Sequence, residues 1–153
     1  MKVFKTTGEI QSYIMSRMQP AIQIAQEKVY QIIDRFVKEY YSEFSPEMYE
    51  RTYQLYRSLV KSKIISSGTG YECVVYFDLD ALDYAMKYIN GAPVPNKGWS
   101  EEKTLESAMV GNTHGGYRAN SNTAIWTESM KILKTEGFEI LKSELRRAGI
   151  PVK

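Results

Sequence analysis

Between Thr7 and Tyr41 apolar residues return at steps of three and four: Ile10, Tyr13 and Ile14, Met18, Ala21, Ile24 and Ala25, Val29, Ile32 and Ile33, Phe36 and Val37, then Tyr40. That spacing predicts a helix with one apolar stripe kept on the same face turn after turn. A continuous helix over this span is roughly 50 Å long, well beyond the usual helix in a chain of this size. A stripe of that length must be covered by the rest of the chain, by another subunit, or by both. Pro20 removes one backbone donor and crowds the carbonyl of Ser16, which predicts a bend or break near Ser16–Pro20. The alternative is a short first helix, a corner at Gln19-Pro20 and a second helix from Ala21 to Tyr41. Thr6 is placed to cap the helix, and Glu9, three residues on, to complete a capping box.

Covering material is available. The chain has 153 residues, 43% apolar and 25% charged, which predicts one globular domain over 1–153 with a real core. No apolar run approaches bilayer-spanning length and the N-terminus has no signal-type apolar stretch, so no membrane partner and a cytoplasmic origin are expected. Cys73, the single cysteine, excludes an internal disulfide framework and a cysteine-rich metal site. Within Cys-Val-Val-Tyr-Phe it reads as a small buried hydrophobe. A net charge of +2 is too small to argue for nucleic-acid affinity. Twelve tyrosines offer large rigid contact areas with polar tips, a composition suited to assembly.

After Tyr41 a linker leads to Ser45-Pro46-Glu47, where serine caps, proline fills the first turn and glutamate favours the positive helix end. A second helix is expected over 45–59, with Tyr49, Tyr53 and Tyr56 on one stripe and Met48, Leu55 and Leu59 widening it. Val60–Ile65 and Tyr71–Phe77, separated by Ser66-Ser67-Gly68-Thr69-Gly70, predict an antiparallel hairpin over 60–77. The second strand is nearly all apolar, which predicts a central strand covered on both faces. Its third neighbour must come from the middle region, from Lys2-Val3-Phe4-Lys5, or from a neighbouring subunit. Asp78 or Asp80 is expected to cap a short helix through Met86 or Tyr88. Residues 90–117 read as a mostly irregular excursion, with a short helix capped by Ser100 and running to about Val110. A C-terminal helix over 121–148 begins near Ser121, carries Gly137 as a soft point, and ends on Lys142, Arg146, Arg147, Gly149 and Pro151. The fold class is α+β: a long N-terminal helix and a C-terminal helix packed on a small antiparallel sheet, with a long irregular insertion.

No constellation in the sequence carries chemistry. His114, the sole histidine, stands in a glycine-rich loop with no orienting partner. Asp78, Asp80 and Asp83 lack the spacing, glycine and terminal glutamate of a calcium loop. Gly68-Thr69-Gly70 and Gly115-Gly116 are not followed by phosphate-loop residues. Glu101, Glu102 and Glu106 read as a solvated helix face. Catalytic, cofactor-binding and metal residues are therefore all expected to be absent, and no cofactor is expected.

The run Ser45-Pro46-Glu47-Met48-Tyr49-Glu50-Arg51-Thr52-Tyr53-Gln54-Leu55-Tyr56-Arg57-Ser58-Leu59 resembles the Tyr-x-Arg-Thr-x-x-Leu-x-x-Ser-Leu segment of small neck or tail-completion proteins of tailed bacteriophages and prophages. The order of elements is similar too, and Ser121–Trp126 keeps that family's tryptophan before the last helix while lacking its prolines and arginines. The resemblance implies a non-enzymatic head–tail joining subunit that self-associates into a ring. Other neck, connector or tail proteins would be its partners, the virion neck its location, and the host cytoplasm its site of assembly. It also implies structural roles: Tyr49, Tyr53, Leu55 and Leu59 seat the second helix on the sheet, Arg51 pairs with a carboxylate at the sheet edge, and Trp126 locks the last helix onto the long one as a buried anchor.

Two other classes compete. A nucleic-acid-binding or regulatory module of phage or prophage origin is motivated by the positive charge and the Tyr/Arg helices, and predicts steeply salt-dependent binding. A hydrolase would have to use His114 with Asp78, Asp80 or Glu101.

Overall fold

The computed structural model describes residues 3–43, 53–82, 86–89, 92–95, 100–110 and 124–153. Thr7–Ser42 forms one helix, α1, with Pro20 inside it. The predicted break is absent. Pro20 and Ser16 are both exposed, so water can serve the one orphaned carbonyl, and Ala21 and Ala25 bury the stripe directly downstream. Thr6 Oγ1 accepts from the Glu9 N–H at 3.2 Å, while the Glu9 carboxylate accepts from the Lys5 N–H at 2.7 Å, one residue earlier than in a standard capping box.

Residues 59–77 form the expected hairpin, but in two registers. β1 (Leu59–Lys61) pairs antiparallel with β4 (Val75–Phe77), and β2 (Ile65–Ser66) with β3 (Tyr71–Glu72). Between the two ladders, residues 62–64 on the outgoing strand face only 73–74 on the return, so one extra residue is bulged. Ser62 bridges the step: its N–H donates to the Val74 carbonyl at 2.9 Å and its Oγ accepts from the Val74 N–H at 2.9 Å. Buried Gln26 on α1 completes it, its Nε2 donating to the carbonyls of Ser62 (3.1 Å) and Val74 (3.0 Å). The bulge is thereby pinned to the long helix.

β4 is not the central strand predicted. Val75 and Phe77 pack on the core, whereas Val74 and Tyr76 remain 50% and 46% exposed. Among the described residues no third strand pairs with this hairpin. A second correction follows Asp78. Its carboxylate accepts from the Asp80 N–H at 3.1 Å and caps only a 3-10 turn, Leu79–Ala81. Residues Met86–Ile89 (β5) are a strand rather than a helix, paired with Ala92–Pro95 (β6) inside the segment expected to be irregular. Asn90-Gly91 between them is a strong hairpin signal, and Pro93 and Pro95 share one parity, so both missing N–H groups fall on the same edge.

α3 (Glu101–Val110) forms as expected, with Ser100 Oγ accepting from the Lys103 N–H at 3.3 Å. α4 (Ile125–Arg147) passes through Gly137 without a break; the Ser121 cap lies outside the described residues. Gly149, at φ +78°, ends α4 in the left-handed conformation, with Gly149 N–H donating to Arg146 and Ile150 N–H to Leu145, each at 2.9 Å.

The core lies at one end of α1. Ile33, Phe36, Val37 and Tyr40 meet Leu55, Leu59, Leu82, Ala108 and Ile125 there. The fold is α+β, with two long helices and short antiparallel strand pairs. Removing the Gln26 amide leaves two strand carbonyls without that donor in a part-buried site, so Gln26→Ala is expected to cost about 1–3 kcal/mol in urea unfolding; an unchanged midpoint would show that the bulge does not need the pin.

Candidate assembly surface

Among the described residues no group of three His, Cys, Asp or Glu side chains is placed to hold a metal, and no helix is long and apolar enough to cross a membrane. His114 and the side chain of Glu101 lie outside the described residues. Cys73 is half-buried, and its thiol is pushed up by burial and then by Glu72, which disfavours the reactive thiolate.

The residues predicted to seat the second helix are dispersed. Tyr49 and Arg51 lie outside the described residues. Tyr53 is left-handed at φ +56°, so the helix seen, α2 (Gln54–Ser58), starts only after it. Tyr53 is half-exposed and its ring stands 5.3 Å from that of Tyr41. Leu55 is buried on α2, and Leu59, also buried, opens β1 instead of ending a helix because it pairs with Phe77. Trp126 is not the buried anchor expected. It is 50% exposed, and its neighbour Ile125, at 0%, fills the place on the core.

Trp126 instead forms the rim of an apolar cavity of about 290 Å³ whose floor is the core itself, Ile33, Leu59 and Phe77, and whose other rim residues include Tyr76 and Leu79. A shallower recess continues from it past Leu105 and Met109 to Glu102 and Glu106 on α3. Nothing in the periodicity marked this site. Its signal was the pair Ile125-Trp126, of which only one residue can face a helix interface at a time.

The opposite end of α1 carries a second apolar feature. Val3 is 77% exposed, Ile10 is also exposed, and Phe4 packs on Tyr13 with ring centroids 5.0 Å apart. The Arg17 guanidinium lies 4.6 Å over Tyr13, and its Nη1 donates to the Ala148 carbonyl at 2.9 Å, where α4 ends. α1 therefore runs past the end of α4, and its first turns project from the helix pair.

Between the two ends, Glu144 ties the helices. It is buried on α4, accepting from Lys28 Nζ at 2.6 Å and Arg147 Nη1 at 2.9 Å through one oxygen. The Lys28 hydrogen bond, with Arg147 assisting, holds its carboxyl below the usual carboxylate range against the opposing effect of desolvation. A depressed folded-state pKa contributes stability that is full above the unfolded value and is lost as pH falls through the folded one. The stability gap between the native chain and Glu144→Gln is expected at pH 7 and should narrow from about pH 4 downward; a gap that persists unchanged at pH 2 would contradict the tie. Ile125→Ala should cost about 2–5 kcal/mol, and Trp126→Ala much less, in matched urea melts.

A family model described as YomN matches residues 6–147, a match that associates the chain with phage or prophage proteins. No curated protein and no solved structure matches it.

Proposed function

Because the chain belongs to the YomN family, we propose that it is a non-enzymatic structural subunit of a phage particle, joining head to tail as one member of a ring at the neck. The observation that carries this reading is the uncovered length of α1. α4 ends beside Arg17, so the first ten residues of α1, Thr7–Ser16, about 15 Å of helix, run past it. Ile10 on that part and Val3 just before the helix are exposed, an apolar surface suited to contact with another subunit. The phage association of the family and the likeness of 45–59 to tail-completion segments point the same way. The neighbours would be other neck, connector or tail proteins, met in the host cytoplasm during assembly.

Electron microscopy of intact particles from the source phage or induced prophage, with peptide identification of this chain, tests the reading. A ring of this subunit at the neck is expected. Its absence from purified particles would overturn the virion role.

A further inference from the structure

We propose that the N-terminal end of one copy, where Phe4 packs on Tyr13 and leaves Val3 exposed, docks through Val3 into the apolar cavity rimmed by Tyr76, Leu79 and Trp126 of the next copy. The contact deepens the ring reading and rests on it. Three observations select a second copy as the occupant. The first is shape: the cavity is concave, about 290 Å³ in volume, with an exposed tryptophan and tyrosine at its mouth, while the tip offers the most exposed apolar side chain described, Val3 at 77%.

The second is charge. In the sequence Val3-Phe4 stands between Lys2 and Lys5, and the recess that continues the cavity carries Glu102 and Glu106, both exposed. Opposite charges at the rim steer and orient such a contact while adding little affinity. The third is reach. Ile33 lies in the cavity floor, 26 residues along α1 from Thr7, which is about 39 Å of helix. Residues 3–6 span at most about 14 Å when extended. No chain can therefore place its own tip in its own cavity, so a tip that fills it belongs to another copy. A contact between two different patches is heterologous, and its repetition closes a ring when the rotation permits.

The contact is small, with few large side chains on either side, well under the roughly 1,600 Å² of a standard stable interface. It is therefore weak singly and gains from closure, since each subunit in a ring makes it twice. The test is disulfide trapping at protein concentrations up to about 1 mM, where even a millimolar contact is substantially occupied. On a Cys73→Ser background, Val3→Cys chains mixed with Glu106→Cys chains should form the mixed disulfide many times faster than Val3→Cys mixed with a Phe138→Cys control. Lys5→Glu should slow trapping severalfold, and Glu102→Lys added to the Glu106→Cys chain should restore it. One chain bearing both cysteines should give a ladder extending past the dimer.

Trapping no faster than the control overturns the docking, and products that stop at the dimer overturn the head-to-tail repeat. If trapping fails while particles still show a neck ring, the ring is built through other surfaces. If trapping succeeds while particles lack the chain, the contact stands and the virion placement falls.

Discussion

Burial of the second half of the α1 stripe is the constraint on which the other elements depend. From Val29 to Tyr41 the helix presents Ile33, Phe36 and Val37 in a continuous apolar strip, and the start of α4, the β1–β4 hairpin, α2 and α3 all pack there. Each is too short to bury an apolar face alone. β1 and β4 form only a two-stranded sheet of three residues each, below the size that is stable in isolation. The hairpin exists because Gln26 pins its bulge and because Val75 and Phe77 find a helix to cover them.

The first half of α1 is held by different means. Beside buried Ala21 and Ala25 it carries two polar ties to α4: Arg17 on the Ala148 carbonyl, and Lys28 on buried Glu144. A buried ion pair contributes little net stability once desolvation is counted, but breaking one partner leaves an unpaired charge. Its effect is to fix register. With Arg17 engaged at the left-handed turn of Gly149, α4 is stopped at one place along α1, and the length of helix left projecting is set by that stop. Gly149 suits the role because a side chain there would meet both the positive φ and the Arg17 guanidinium at 3.3 Å.

The helices and the fold class were legible in the sequence because apolar periodicity, caps and end signals agreed: Thr6 and Glu9 at one end of α1, Ser100 before α3, Gly149 after α4. The failures share a cause. Burial on one side of a strand cannot be told from burial on both when residues such as Val74 and Tyr76 are apolar yet exposed, so β4 read as central. Met86–Ile89 follows aspartates that suit a helix cap, and that local cap signal masks the Asn90-Gly91 turn. Leu59 and Tyr53 fall on a helical stripe in spacing, but strand pairing with Phe77 claims the first and a left-handed φ removes the second. For the candidate surface, Tyr53, Leu55, Leu59 and Trp126 were visible as residues. The cavity that places Leu59 at its floor and Trp126 at its mouth depends on pairings remote in sequence, and no period encodes it.

Those same pairings bear on how copies of the chain can associate. An apolar tip and an apolar cavity at opposite ends of one helix admit two closures: a ring, or an antiparallel pair in which each tip fills the other's cavity. In the pair the shafts of α1 would lie side by side for much of their length. The outward face of that shaft carries Gln23, Gln31, Arg35, Lys38 and Glu39, with Ile24 its one large apolar exposure. Arg35 and Lys38 already have carboxylate partners on their own helix in Glu39 and Asp34, so a two-fold contact would desolvate satisfied charges and supply few new partners. The ring leaves that face in water and buries only the two ends. Under the proposed docking the mostly polar shaft opposes the swapped pair, and head-to-tail repetition is the arrangement of lower cost.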